Sequence, residues 1–451
     1  MNIIILGAGQ VGSTLAENLS LRDNNNITLV DVDKSVLEVL QDRLDIKTIV
    51  GHASHPDVLE IANAAHADIV LAVTDSDETN IVACQVAYSL YQVPQKIARV
   101  RHFSYLSHPE LFSADNAPID LLISPENVVT DFIYKLIELP GSQQVINFAD
   151  GMVQVVAVKA HIGGLLVGHK IHELREHIPE IDTRIVAIFR HEHPIIPKPE
   201  TIIKEDDFIY FIATTKDIIE VMRQMRRTER PYKNIMIAGG GNIGNLLAKK
   251  LQKEYRIKLI ESNSERAKVL SELLDNTIVL HGDAADKELL LDENIDSTDV
   301  FIAVTNADEA NILSSMSAKR FGAHKVMTLI NRASYIGLVD SSIIDVAISP
   351  KQVTISTLLS RVRTGKVVSA YTLHNTSSEL LEIKVKENAT KLINKTIQEV
   401  KLPGGVAIVA IIRQNEVLIA HKIVTIAIND RLIFSLISRD KSQAVEKLFG
   451  N

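Results

Sequence analysis

Apolar residues enter this chain as short continuous runs. Val, Ile and Leu dominate residues 2–6, 27–31, 46–50, 68–73 and 96–100, and helix-length stretches with an apolar face lie between them at 11–22, 34–43 and 78–91. Runs without polar alternation predict strands buried on both faces, and their spacing by helices predicts a parallel sheet with crossover connections. From about residue 145 the texture changes. Val153–Val158, Ile185–Phe189 and Phe208–Ile212 predict further strands, with one short helix near Lys170–Glu176 between the first two. A small α+β module therefore follows the sheet domain.

The pattern then starts again. The segment from Ile3 to Gly12 (IIILGAGQVG) returns as Ile235 to Gly244 (IMIAGGGNIG), about 230 residues later. Other landmarks follow in the same order: Leu29-Val30-Asp31 with Leu259-Ile260-Glu261, Ala67–Thr74 with Thr298–Thr305, Asp77–Asn80 with Asp308–Asn311, and Ile123-Ser124-Pro125 with Ile348-Ser349-Pro350. The last pair is closer in spacing, so the second copy has lost a few loop residues. Leu381–Val385, Val406–Ile412 and Leu432–Leu436 repeat the trailing strands. The predicted fold class is α/β: two Rossmann-like doubly wound parallel-sheet domains, each followed by a small α+β module. The expected domains are 1–140, 141–226, 233–365 and 366–451, with Met222–Tyr232 as a helical connector between the copies. Length alone, 451 residues, suggests about three domains; the duplication makes four.

Composition narrows the class. A net charge of -8 speaks against a protein that grips nucleic-acid phosphates through a broad basic surface. The one cysteine, Cys84, allows no internal disulfide and no cysteine-rich zinc site, which fits a reducing interior. Met1–Gly7 carries no basic lead and too short an apolar stretch for a secretory signal. No apolar run approaches the ~20 residues that cross a bilayer, so any membrane role is expected to be peripheral.

The candidate chemistry sits in the repeated glycine turn. Gly7-x-Gly9-x-x-Gly12 follows a buried strand and opens a helix, the context in which this spacing binds a dinucleotide. Gly7 permits a tight turn, Gly9 lets the backbone approach a pyrophosphate, and Gly12 lets the helix pack closely on the sheet. The free N–H groups of the helix starting near Gln10 and Val11 would receive the anion. Asp31, at the tip of the next strand, suits the two ribose hydroxyls and repels a 2′-phosphate, which favours NAD over NADP. Gly239, Gly241, Asn242, Ile243, Gly244 and Glu261 offer the same arrangement in the second copy. Thr74 and Thr305 end the fourth strand of each copy, where a crevice opens.

Several residues admit two readings. Arg99 and Arg101 close a strand at the sheet's carboxyl edge, where they are either solvated ends or phosphate contacts. The second copy has Ile330 for Arg99 and Arg332 for Arg101, so the first site suits the more highly charged ligand. Asp77, Asn80, Asp308 and Asn311 either cap the next helix or line the ligand. His52 and His55 are either an acid or base or a loop contact near the adenosine, and Asp283 in the place of His52 in the second copy favours the loop contact. His161, His169, His172, His177, His191 and His193 are either scattered surface groups or metal ligands, and no metal site is assigned. No catalytic residue is assigned either. None of the nine tyrosines precedes a lysine by four positions, and no Gly-x-Ser-x-Gly elbow, Walker lysine loop or His-Glu-x-x-His helix occurs. A dehydrogenase therefore lacks its proton relay, while a ligand-sensing scaffold stays open beside it.

With its duplicated glycine turns, the Thr74–Asn80 segment (TDSDETN), Ala98-Arg99-Val100-Arg101 and the small trailing β modules, the chain resembles the bacterial TrkA family of Trk-system potassium uptake proteins from end to end. The resemblance implies regulator-of-potassium-conductance (KTN) domains alternating with TrkA C-terminal domains. It implies binding of NAD(H) and ATP/ADP, assembly as a homo-oligomer in a tetrameric ring, and gating of a membrane-embedded potassium-translocating subunit of TrkH or TrkG type. It places such a protein in the cytoplasm, peripheral to the inner face of the cell membrane. It also assigns Gly7, Gly9, Gly12 and Asp31 to a first nucleotide site, with Arg99 and Arg101 as phosphate contacts, and Gly239, Gly241, Gly244 and Glu261 to a second.

Overall fold

A computed structural model describes the chain apart from residues 21–24, 114, 162–163, 165, 174–180, 192, 226–230, 337–338, 340–342, 363–366, 374–377, 421–422, 439–440 and 450–451. Part of the helix expected near Lys170–Glu176, the middle of the expected connector and His177 lie outside the described residues; what precedes them is a short 3₁₀ turn, Ile171–Glu173, and a helix, Thr215–Met225.

The first sheet comprises β1 (Asn2–Leu6), β2 (Asn26–Asp31), β3 (Lys47–Val50), β4 (Ile69–Ala72), β5 (Gln95–Arg99) and β6 (Leu121–Ile123). Its order is β3-β2-β1-β4-β5-β6, and every pairing is parallel. The order reverses between β1 and β4, which opens a crevice at their carboxyl ends. Ile3, Ile4, Ile5 and Leu6 of β1 and all of β4 are buried, as continuous apolar strands must be when helices cover both faces. Gly12, Leu15, Ala16 and Leu19 form the buried stripe of the helix Gln10–Ser20, the three-and-four spacing of one helical face.

An antiparallel sheet follows: β7 (Ser142–Phe148), β8 (Val153–Lys159), β9 (Arg184–Arg190), β10 (His193–Ile195) and β11 (Phe208–Thr214), ordered β10-β9-β11-β8-β7. The second copy repeats both. Its parallel sheet is β12 (Asn234–Ala238), β13 (Arg256–Glu261), β14 (Thr277–His281), β15 (Val300–Ala303), β16 (Lys325–Leu329) and β17 (Val346–Ile348), ordered β14-β13-β12-β15-β16-β17. Its antiparallel sheet is β18 (Val367–Thr372), β19 (Glu379–Lys384), β20 (Val406–Arg413), β21 (Glu416–Ile419) and β22 (Arg431–Leu436), ordered β18-β19-β22-β20-β21. The α/β class and the duplication are thus present at the level of strand order.

The four parts group by kind rather than by sequence. Met1–Asp131 and Asn234–Leu358 make one compact unit, and Phe132–Lys233 and Leu359–Asn451 make another. In the second unit the two antiparallel sheets share one core, in which Phe148, Val155, Phe189 and Tyr210 meet Leu380, Val409 and Ile433. Polar contacts fix that pairing: Arg184 donates to the carbonyls of Ile408 (3.2 Å) and Ala420 (2.9 Å), and the Ser435 hydroxyl donates to the Val186 carbonyl (2.9 Å). Among the described residues no helix is long and apolar enough to cross a membrane.

Candidate functional site

Three glycines share the first turn, and the fold needs only two of them. Gly7 has φ +104°, and an added Cβ would stand 3.0 Å from the Thr74 backbone; an L side chain is strained there on both counts. A Cβ on Gly12 would lie 1.8 Å from the Gly7 carbonyl oxygen, so the helix Gln10–Ser20 sits against the turn only because that side chain is missing. Gly9 is different. A Cβ there would meet nothing within 4 Å. The second turn repeats this arrangement: Gly239 at φ +107°, Gly244 at 1.9 Å from the Gly239 carbonyl, and Gly241 open. Open space at Gly9 and Gly241 is what a ligand approaching the backbone requires and what a tight turn does not.

A cavity of about 610 Å³ occupies the first crevice, within the range of small-molecule and cofactor sites. Gly7, Gly9, Gln10 and Val11 of the turn line it, together with Asp31, His52, Thr74 and Arg99. Gly12 is not in the lining; its contribution is the close seat of the helix. Arg101 is not in the lining either. Its guanidinium donates to the Asp75 carbonyl and stands 3.7 Å from the Asp77 carboxylate.

Asp31 is held by backbone donors. One carboxylate oxygen accepts the Ala8 N–H (2.5 Å) and the other the Asp33 N–H (2.9 Å), so both keep lone pairs for further hydroxyl donors. Arg99 is half-buried, and its Nε–H is fully buried with no hydrogen-bond partner. Burial, and then the like charge of Arg101, push its guanidinium below the usual range. Its Nη1 donates to the Thr74 carbonyl (3.4 Å), and a partly desolvated guanidinium lining a cavity is suited to an anion. The residues present therefore fit a nucleotide, with Asp31 for the ribose and the Gly9 turn and Arg99 for phosphate.

The second crevice has a different character. Glu261 reaches back to the Gly240 N–H (2.8 Å), and Arg266 donates to the Gly240 carbonyl (3.1 Å). A Cβ on Gly240 would meet the Leu270 Cδ1 at 2.3 Å and the Glu261 carboxylate at 2.8 Å, so these side chains would have to shift to admit the alanine that the first copy carries as Ala8. Asn242 and Ile243 start the helix Asn242–Leu251 with Gly241 as its N-cap residue. The strand register corrects the sequence pairing: Leu329, which pairs with Ile348 as Arg99 pairs with Ile123, stands in the place of Arg99 and is buried. Ile330 takes the place of Val100, and Asn331 and Arg332 those of Arg101 and His102. Arg332 turns outward to Glu309 (3.2 Å) and Tyr335 (2.9 Å). Thr305 packs against Gly239 as Thr74 packs against Gly7.

Asp77 and Asn80 neither cap the helix Asp77–Tyr91 nor line the cavity. Ser76 supplies the cap, while Asp77 accepts from the backbone N–H groups of Arg101 (2.8 Å) and His102 (2.7 Å), and Asp308 does the same for Asn331 and Arg332. These side chains tie the ends of neighbouring strands together. Among the described residues, no group of three or more His, Cys, Asp or Glu is placed to hold a metal ion. His169 contacts Glu173 (3.3 Å) and His172 the Pro199 carbonyl (2.9 Å). Sequence reasoning missed four residues that line the first cavity from the second copy: Asn331, Pro350, Lys351 and Thr354. The repeated Ile-Ser-Pro corner marked where that segment lies in its own copy but carried no sign that it faces the other.

The TrkA-N domain model matches residues 3–125 and 235–350, and the TrkA-C domain model matches 155–226 and 380–450. The Trk system potassium uptake protein TrkA of Vibrio alginolyticus is 51% identical over 100% of this chain and 98% of its own. Its counterpart in Halomonas elongata is 49% identical with the same coverage. Among solved structures, the GsuK RCK domain superposes with a TM-score of 0.62 at 21% identity, covering 99% of this chain and 94% of that one. A GsuK channel bound to NAD superposes at 0.61 and 20% identity, covering 99% and 78%. At that identity these structures show a shared fold. Matched by both domain models in each repeat, and half identical to relatives along its whole length, the chain belongs to the TrkA family of Trk system potassium uptake proteins.

Proposed function

We propose that this chain is the nucleotide-sensing regulatory subunit of a Trk-type potassium uptake system, in which occupancy of the sheet crevices by NAD(H), ATP or ADP controls a membrane-embedded potassium-translocating subunit. The observation that carries the reading is the open space at Gly9, beside a cavity that presents Asp31 and Arg99; Gly241 repeats that open space in the second copy. Family membership supplies the transport context, and the NAD named for the GsuK channel is a ligand class that Asp31 suits.

Asp31 would accept the ribose hydroxyls and disfavour a 2′-phosphate. The N–H groups at the start of the helix Gln10–Ser20 would receive the pyrophosphate, and the Arg99 guanidinium would offer it a cation. A bound nucleotide supplies charge and contact area as a signal. A ligand moves a conformational balance only by the difference in its affinity for the two states, and a crevice lined by both repeats provides such a difference. On this reading the chain works as a homo-oligomeric ring, with four copies as the expected number. It acts in the cytoplasm against the inner face of the membrane, where it reaches both nucleotide and transporter of TrkH or TrkG type.

Isothermal titration of the full chain with NADH, ADP and ATP tests the site. The wild type is expected to bind, and Gly9→Asp, which places a carboxylate in the pyrophosphate path without a clash in the fold, is expected to lose at least tenfold at the first site. Equal affinity in the variant would remove the first crevice from the account, and steady consumption of NADH by the purified chain would make the nucleotide a reactant.

A further inference from the structure

Lys351 is a lysine where a helix start favours an acid. It lies in the first turn of the helix Pro350–Arg361, which has no acidic residue there, so its charge opposes the positive end of the helix dipole. The first repeat shows the alternative. By the matched Ile-Ser-Pro corners, Lys351 corresponds to Glu126, which begins the helix Pro125–Glu138. Glu126 contacts the Ser124 hydroxyl (3.3 Å), and that hydroxyl accepts the Asn127 N–H (3.3 Å). Lys351 cannot accept a hydrogen bond in this way, and it lines the first cavity instead.

The two repeats therefore bring two cations to one cavity: Arg99 from the first, with its buried and unpartnered Nε–H, and Lys351 from the second. Thr354, one turn further along the same helix, lines it as well. The exchange is not reciprocal in charge. The residue matching Lys351 is an acid, and the residue matching Arg99 in strand register is the apolar Leu329. The pair Arg99 and Lys351 thus has no cationic counterpart at the matching positions of the other copy.

We propose that Lys351 is a cross-repeat phosphate contact: it holds the distal phosphates of a nucleotide bound in the first crevice, so that a di- or triphosphate bridges the two sheet domains and a monophosphate does not. This deepens the nucleotide reading above and rests on it. The adenosine and first phosphate belong to Asp31 and the Gly9 turn; the charge beyond them is read by the other repeat. Such a bridge gives the crevice a means to distinguish ligands by their phosphate count.

The test is titration of the full chain with ATP and AMP, comparing wild type, Lys351→Gln, Lys351→Arg and Gly9→Asp. Lys351→Gln is expected to weaken ATP about tenfold, the loss of one charge-assisted contact, while AMP changes less than twofold and Lys351→Arg restores most of the ATP affinity. ATP affinity unchanged in Lys351→Gln, or ATP and AMP weakened alike, would overturn the contact while Gly9→Asp still reports on the site itself. Failure of the wild type to bind ATP, or indifference of Gly9→Asp, would overturn the underlying nucleotide reading together with it.

Discussion

The side-chain amide of Asn80 closes on Thr74 through three atoms. Its Oδ1 accepts the Thr74 N–H (2.9 Å) and meets the Thr74 hydroxyl (2.7 Å), and its Nδ2 donates to the Thr74 carbonyl (3.2 Å) and across to the Arg99 carbonyl (2.9 Å). Asn311 repeats the clamp on Thr305 and Leu329. The carboxyl ends of β4 and β5 are thus locked at the level where Arg99 meets the cavity. Asn80→Ala leaves buried backbone groups unpartnered and is expected to cost about 3 kcal/mol, read as a lower urea midpoint. Asn80→Asp should cost as much, because a carboxylate cannot donate to either carbonyl. A variant as stable as wild type would show the clamp to be dispensable.

Two alanine variants separate what the first turn does for folding from what it does for binding. Gly12→Ala forces a methyl to within 1.8 Å of the Gly7 carbonyl and should destabilise the first sheet domain by several kcal/mol, as overpacking of a tight contact does. Gly9→Ala meets open space and should melt within a degree or two of wild type while binding nucleotide more weakly. Thermal melts with and without NADH check both. A Gly9→Ala chain that melts far below wild type would return that glycine to a purely structural role.

Glu382 is buried in the second unit and is held by Arg431, which also reaches Asp150 of the first repeat (2.7 Å). Removing one partner from such a pair leaves a buried charge alone and costs about 3–5 kcal/mol. Arg431→Met should show this loss, and Arg431→Met with Glu382→Met should recover part of it, because the lone buried charge is gone while the Ala149 N–H and the Ser369 hydroxyl lose their acceptor. Measured urea midpoints of the single and double variants decide the point; equal loss in both would mean that packing dominates the site.

Burial pushes the Cys84 thiol up to about 12, the largest effect on it, with Lys96 opposing and Asp120 adding. The folded pKa lies above the ordinary thiol value of about 8.5, so the neutral form is the folded form. This contribution to stability is fully present below the unfolded pKa and is lost as pH rises from there towards the folded one. Urea midpoints at pH 7.5 and pH 10 should therefore differ more for wild type than for Cys84→Ala. The native thiol should also resist alkylation at pH 8 and react once the chain is unfolded; rapid reaction of the native chain would contradict the buried assignment.

Much of the first unit was legible in the sequence because its signals are local. A continuous apolar run, a glycine turn and an acid at the next strand tip fix β1, the following helix and Asp31 within one segment, and the second copy repeats them. The strands β6 and β17 have three residues each, too few for a pattern to register, and β7 carries Gln143, Gln144 and Asn147 among its apolar positions. The like-with-like grouping of modules was not legible either. Periodicity shows that Phe148 and Leu380 need burial, but not that they bury against each other. The same limit hid Lys351, whose meaning depends on the opposite repeat, and it made Asn80 read as a cap when its partner is the neighbouring strand.

On the proposed function, nucleotide in the first crevice acts as a signal to potassium transport. The most direct measurement is potassium flux into vesicles that contain the membrane-embedded translocating subunit together with this chain, recorded as NADH, ADP or ATP is added, with wild type and Gly9→Asp compared. The flux is expected to respond to nucleotide with the wild-type chain and to lose that response with Gly9→Asp while the two proteins still associate. An equal nucleotide response from both chains, or no response from either, would contradict it.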